Sequence, residues 1–189
     1  MQKHSNREAQ NQLVLLNRGE KIVYNMNTPS QISTTPSPTS TVSMDATWTF
    51  ANGITDVKMV ITNLKNKQWV AIGLSSDQSM GDDHVFVCQY LADNSAIVKR
   101  MYNPDGHTPP RDAETADGGA FANATGRVEN GLVTCEFSLS SFSSRHKRQD
   151  TAKVLSQTTQ YYPLFAVGVL DNNSKYELQL SFLFTLQNI

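Results

Sequence analysis

Met80 is the residue of this sequence with the clearest potential for metal chemistry, because it is the one large apolar side chain in a small and polar loop. The loop runs from Ser75 to Asp83 and follows the apolar stretch Trp69–Leu74. A lone thioether in this position either fills the end of a hydrophobic core or acts as a soft metal ligand. The neighbouring carboxylates of Asp82 and Asp83 are too few for a calcium site, and they suit hydrogen bonds to loop N–H groups better.

The two cysteines, Cys88 and Cys135, each lie in an apolar run that predicts a strand. Neither has a second cysteine or a histidine at metal-site spacing, so a zinc site is not expected. Two interpretations stay open from the residues alone: a disulfide between two strands, or two buried thiols. No Ser/His/Asp or Cys/His set and no glycine-rich phosphate loop stands out, so we expect no hydrolytic or transferase site.

The elements that must position these residues are short strands separated by turns. Alternating apolar residues or apolar runs predict strands near 46–50, 57–62, 69–74, 85–90, 96–102, 127–129, 132–139, 163–170 and 176–182. Asn52-Gly53 predicts a turn, and Asn130-Gly131 is the strongest short hairpin signal in the sequence. No long stretch has the 3.6-residue period of a helix. The sequence therefore predicts an all-β fold, an antiparallel β-sandwich with immunoglobulin-like layering.

Composition limits the partners of this domain. The 189 residues suffice for one well-buried domain, and 16 basic against 17 acidic residues give a formal net charge of -1. Because the charges nearly cancel, the chain has no electrostatic field that would attract nucleic acid or anionic membranes. No apolar run is long enough for direct membrane insertion. We expect residues 1–43 to be a polar leader with a possible hairpin and a Ser/Thr/Pro-rich linker, and 44–189 to be the folded domain.

The segment Gly73–Asp83, with Met80-Gly81-Asp82-Asp83 at its end, resembles the DOMON domain. The sequence of this segment most resembles the extracellular DOMON modules of ferric-chelate reductase-like proteins. Trp48-Thr49-Phe50 and Phe165-Ala166-Val167-Gly168 lie where that family has similar residues. The resemblance implies a haem b electron-transfer module with Met80 as one axial ligand. Its partners would be a membrane cytochrome domain or an extracellular electron acceptor, so any enzymatic role is at most that of a redox module in a larger reductase.

The second axial ligand implied by the resemblance is a histidine after Gly168, yet Val169–Ile189 contains none. His84 is four residues from Met80, and a link of about 14 Å cannot pass round a porphyrin edge to its opposite face. His4 belongs to the polar leader. His107 and His146 are far enough along the chain to serve, and they are the remaining candidates for haem binding.

The resemblance also bears on cysteines and location, since family members have cysteines at the strand positions of Cys88 and Cys135. It implies a disulfide between them, and an extracellular, luminal or secreted location. The segment Met1–Arg7 lacks the apolar core of a signal peptide. Two sequons, at Asn123 and Asn172, are candidate N-glycosylation sites and agree with that location.

The missing histidine favours an alternative function, a haem-free recognition domain. In this interpretation the open end of the sandwich, rimmed by Ser75–Asp83 and Asn103–Ala120, binds a sugar, a lipid or a partner protein.

Overall fold

A computed structural model describes residues 13–14, 20–26, 41–75, 81–104, 110–113, 120–140 and 160–171. These residues form strands and turns, with no helix among them. Within this part of the chain, no helix has the length and apolarity that crossing a bilayer requires.

The described strands form two antiparallel sheets. The first sheet has the order β1-β11-β5-β6-β7-β8 and the second the order β2-β3-β4-β10-β9. Their bounds are β1 Leu13–Val14, β2 Glu20–Met26, β3 Val42–Ala51, β4 Ile54–Thr62, β5 Gln68–Ser75, β6 Asp83–Tyr90, β7 Ala96–Asn103, β8 Arg111–Asp112, β9 Ala120–Glu129, β10 Leu132–Ser140 and β11 Gln160–Val169.

One face of each sheet forms a shared core, as the alternation of apolar residues predicts. Trp48, Met59, Phe86 and Phe137 are each at most 2% exposed. The core contains residues of both sheets, namely Val42, Met44, Ala46, Trp48, Val57, Met59, Ile61, Leu64, Val70, Ile72, Leu74, Phe86, Cys88, Ala96, Val98, Val133, Cys135, Phe137, Leu139, Tyr161, Phe165 and Val167. The protein is therefore an all-β sandwich, which confirms the predicted fold class.

The predicted turn at Asn52-Gly53 and the predicted hairpin at Asn130-Gly131 are both present in the second sheet. Asn52 and Gly53 connect β3 to β4 with φ of 52° and 77°, and Asn130 and Gly131 connect β9 to β10 with φ of 50° and 77°. A two-residue turn with both φ angles positive matches the twist of the strands it joins, and Asn-Gly adopts it at the lowest cost. These turns fix the register of the strands that carry the outer face of the second sheet.

The two segments of the expected leader pair with different sheets rather than with each other. Leu13–Val14 lies beside β11, and Glu20–Met26 lies along β3. The predicted strand at 176–182 falls outside the described residues.

A second apolar cluster lies on the outer face of the first sheet. It comprises Trp69, Ala71, Val87, Met101 and Leu170, each at most 8% exposed. Gln89 lies on the same face of β6 and is completely buried. This sheet is thus buried on both faces along its central strands.

Candidate functional site

The start of β6 is the part of the predicted haem site that the structure describes. Gly81 and Asp82 have positive φ angles of 129° and 54°, and they turn the chain into β6. The carboxylate of Asp83, 2% exposed, accepts a hydrogen bond from the Gly81 N–H at 3.1 Å. Tyr102 donates its hydroxyl hydrogen to Asp82 at 2.7 Å. Asp83 therefore accepts from a backbone N–H group as predicted, whereas Asp82 is held by a side-chain hydroxyl of β7.

A polar cluster follows on the core side of the same strands. His84 on β6 is 3% exposed and lies beside Tyr102 on β7, with ring centroids 5.5 Å apart. Arg100 Nη2 is 3.4 Å from His84 Nδ1. Since a guanidinium carries only donors and stays protonated, Nδ1 must be the acceptor, and a neutral ring then has its hydrogen on Nε2. Nδ1 uses its lone pair to accept from Arg100, and Nε2 carries a hydrogen, so neither ring nitrogen of His84 has a lone pair available for a metal.

The interior beside His84 is filled by aromatic rings. Phe86 stacks on Phe137 at a centroid distance of 4.6 Å, and Phe121 lies 5.2 Å from Phe137 and 6.3 Å from Phe86. These rings come from both sheets and form part of the shared core or pack against it. A flat cofactor at this position would have to displace them.

The described residues do not fit a haem, because none of them supplies an imidazole with an available nitrogen. Among them, no three His, Cys, Asp or Glu side chains lie close enough to hold a metal ion. The predicted ligands Met80, His107 and His146 lie outside the described residues. The predicted glycosylation site at Asn172 lies outside them as well.

The structure does bring the two cysteines together. Cys88 on β6 and Cys135 on β10 form a disulfide with a Cα–Cα distance of 5.9 Å, and both are completely buried. The bond connects the two sheets through the core. This confirms the disulfide that the resemblance implied and excludes two free thiols. A native disulfide indicates an oxidising compartment.

A groove of about 430 Å³ lies on the outer face of the second sheet, and we call it the outer groove. Its polar side chains form two rows across neighbouring strands. One row is Thr47, Lys58, Glu136 and Thr125; the other is Thr49, Asp56 and Ser138, continued by Asn123. Directly opposed residues on adjacent strands have Cβ atoms about 5 Å apart, so each row is a continuous line of polar groups.

Hydrogen bonds connect the second row. Asn123 donates from Nδ2 to Ser138 Oγ at 3.1 Å, and Ser138 donates to Asp56 Oδ1 at 2.6 Å. Ser138 is 8% exposed, whereas Asp56 and Asn123 are open to solvent. The chain of bonds orients the amide and the carboxylate, and it leaves acceptor capacity on Asp56 for a ligand.

Ion pairs organise the first row. Lys58 Nζ lies 3.1 Å from Glu136 Oε1, and Arg127 donates two bonds to the same carboxylate, at 3.0 and 3.3 Å. The hydrogen bond from Lys58 and then those from Arg127 lower the pKa of Glu136 below its ordinary value. Glu136 is thus a fixed anion at neutral pH, held between two cations.

The outer groove was not predicted from the sequence. Alternation predicts which residues of each strand face outward, but β4 and β10 are separated by some seventy residues, and nothing local indicates that they are neighbours. The sequence contains one weak indication of the groove. Two strands with alternating apolar residues each have two polar residues on the outward face, Asp56 and Lys58 on one strand and Glu136 and Ser138 on the other.

Comparison with known proteins identifies the family. The family model with the description "DOMON domain" matches residues 41–168, which are more than half of the chain. No curated protein and no solved structure matches the sequence.

Proposed function

Because this chain belongs to the DOMON family, we propose that it is a recognition module of an extracellular, oxidising compartment that binds a sugar in the outer groove. The observation that carries the proposal is the pair of polar rows across β3, β4, β10 and β9. The groove's volume of about 430 Å³ falls in the range of roughly 300–1,000 Å³ typical of small-ligand sites.

The chemistry of the lining suits a polyhydroxyl ligand. It offers hydroxyl groups that both donate and accept, a carboxylate acceptor at Asp56, an amide at Asn123 and an ammonium donor at Lys58. Two carboxylates and one ammonium leave the lining at a charge of -1, and Arg127 beside Glu136 offsets that charge. So weak a field favours a neutral sugar over an acidic one.

Oligosaccharide binding by the unglycosylated protein tests this function. The chain is produced in a bacterial periplasm, where the disulfide forms, and is applied with a chelator and without haem to an array of neutral and acidic oligosaccharides. We expect a neutral oligosaccharide to bind, and calorimetry to show about fivefold weaker binding for Asp56→Ala, since one net hydrogen bond is worth about 1 kcal/mol.

Asp112→Ala is the matched control. Asp112 is an exposed aspartate on β8, in the other sheet, and its substitution should leave the affinity unchanged. An array without binding, or equal affinities for the parent and Asp56→Ala, contradicts the proposed site.

The loop sequence around Met80 favours a second candidate, haem b electron transfer as in ferric-chelate reductase-like proteins. The hydrogen bonds of Asp82 and Asp83 hold the end of the loop that carries Met80. In this case Met80 and either His107 or His146 would bind haem. The haem would exchange single electrons between a membrane cytochrome domain and an outside acceptor.

A reduced-minus-oxidised visible spectrum of protein expressed with haem distinguishes the two candidates. The redox candidate predicts a haem signal that Met80→Ala alters, while Met101→Leu, at a buried methionine of β7, leaves it intact. A flat spectrum contradicts it.

A further inference from the structure

The strand β9 has one residue more than its partner at the edge of the outer groove. Thr125 pairs with Glu136 and Ala122 pairs with Ser138, so Asn123 and Ala124 together oppose Phe137. This is a β-bulge, and Asn123 has the positive φ of 53° that asparagine tolerates.

The bulge changes which way Asn123 faces. Phe121 packs against the core, and strict alternation from it would send Asn123 into the core as well. With the extra residue, the alternation is reversed beyond the bulge, so that Val128 packs inward and Asn123 lines the outer groove. The side-chain amide is therefore placed in the groove by a specific irregularity of the sheet.

Asn123 is also the acceptor position of the sequon Asn123-Ala124-Thr125, and all three residues are exposed. The disulfide indicates the oxidising route on which such sequons are modified. We propose that Asn123 carries an N-linked glycan whose first sugars lie in the outer groove, so that modification closes this site to free ligand. This inference rests on the proposed function for its regulatory meaning.

The modification needs a lipid pyrophosphate-linked oligosaccharide as donor. Asn123 Nδ2 forms a bond to the anomeric carbon of the first sugar, and the bond from that carbon to the pyrophosphate oxygen breaks. The amide loses one proton, and the lipid pyrophosphate leaves. The product keeps one N–H, which suffices for the 3.1 Å hydrogen bond to Ser138.

The position of Nδ2 determines where the glycan starts. Asn123 and Ser138 both line the groove, and Asp56 accepts from Ser138 at 2.6 Å. A sugar joined to Nδ2 therefore begins beside Asp56, the residue to which we assign binding of a free ligand. An intramolecular ligand has a high effective concentration, so it excludes a dissolved oligosaccharide of similar chemistry.

The test compares the chain secreted from a glycosylating eukaryotic host with the unglycosylated protein from the bacterial periplasm. Both carry Asn172→Gln, so that Asn123 is the one sequon tested. Mass spectrometry of the peptide containing Asn123 measures occupancy. Nuclear Overhauser contacts between the first sugars of the glycan and the methyl groups of Thr47 and Thr49 report whether the glycan lies in the groove.

We expect occupancy at Asn123, sugar contacts with both threonines, and at least tenfold weaker binding of the array-selected oligosaccharide by the glycosylated form. The parent secreted from the same host, with an inhibitor of lipid-linked oligosaccharide synthesis present, should bind like the bacterial protein. An unmodified Asn123, or a glycan that contacts neither threonine, overturns the inference.

Failure of the proposed function gives a different result. If neither form binds an oligosaccharide but the threonine contacts are present, the groove holds the protein's own glycan and the recognition role is wrong. If both forms bind equally, the recognition role stands and the glycan does not close the site.

Discussion

Glu136 forms ion pairs with both Lys58 and Arg127 beside the outer groove. Its pKa is lowered, first by the Lys58 hydrogen bond. A carboxyl group with a lowered folded-state pKa stabilises the fold above its unfolded-state pKa of about 4.3, and the contribution is lost as the pH falls through the folded-state value.

We expect Glu136→Gln to lower the free energy of unfolding by roughly 1 kcal/mol at pH 7, because exposed ion pairs contribute modestly. At pH 3 the difference between the parent and the variant should be smaller than at pH 7, because protonation of the carboxyl group removes this contribution. Urea unfolding at both pH values checks this. Glu129→Gln is the control, since Glu129 lies 4.0 Å from Arg127 with a 70% exposed side chain; an equal loss in both variants would contradict the assignment.

Gln89 is a polar residue whose position has an energetic cost. It is completely buried, and neither its side-chain oxygen nor its nitrogen has a hydrogen-bond partner within the described part of the chain. An unsatisfied buried amide costs about 1–3 kcal/mol.

Gln89→Met keeps the length of the side chain and removes the polar atoms, so we expect the free energy of unfolding to rise by about 1 kcal/mol in urea. Gln68→Met, in contrast, removes an acceptor of the Lys65 N–H at 2.8 Å and should give no gain. A loss of stability in Gln89→Met would indicate that the amide is satisfied in solution.

At the scale of elements, alternation and turn chemistry suffice to predict most of the second sheet. The apolar residues Val57, Met59 and Ile61 share the core face of β4, and both Asn-Gly turns connect strands as predicted. The bulge at Asn123 could not be predicted, because it depends on which residue of β10 pairs with each residue of β9. That register is set by the whole sheet rather than by the local sequence.

Gly126 lies where strands of the two sheets approach each other closely. A Cβ atom added there would overlap the backbone carbonyl of Ala96, at the start of β7. Because backbone cannot move aside as a flexible side chain does, we expect Gly126→Ala to lower the free energy of unfolding by about 2 kcal/mol.

Thermal or urea unfolding measures the effect of Gly126→Ala. Ala122→Val adds carbon to an exposed position of the same strand and serves as control, with a change within about 0.5 kcal/mol. Equal stability of Gly126→Ala and the parent would mean that β7 and β9 are farther apart than described.

At the scale of the molecule, the sequence predicts a sandwich, and its resemblance to a family predicts which cysteines join. The site is harder to predict, since it is formed by side chains of four strands that only the fold brings together. The predicted ligand set of Met80, His107 and His146 remains a prediction, because those residues lie outside the described part of the chain.

The disulfide cross-links the two sheets, and its residues are 47 apart in sequence. Closing a loop of that length stabilises the folded state by about 4 kcal/mol in the chain-entropy model. We therefore expect the double substitution Cys88→Ala with Cys135→Ala to lower the free energy of unfolding by 2–4 kcal/mol in urea, roughly as removal of native disulfides does.

The control is the parent protein after unfolding, reduction, removal of the reductant and refolding in oxidising buffer. It should recover its full stability. Equal urea midpoints for the parent and the double variant would contradict a stabilising role of the bond.

The strands β7, β8 and β9 lie between the two joined cysteines in the chain. A protease that cleaves anywhere in this interval therefore yields two polypeptides that stay tethered. The cleaved protein migrates as one band in a denaturing gel until a thiol reagent separates it into two. Proteolytic processing in this interval would thus be invisible without reduction, and the first sheet could be cut without shedding any part of the molecule.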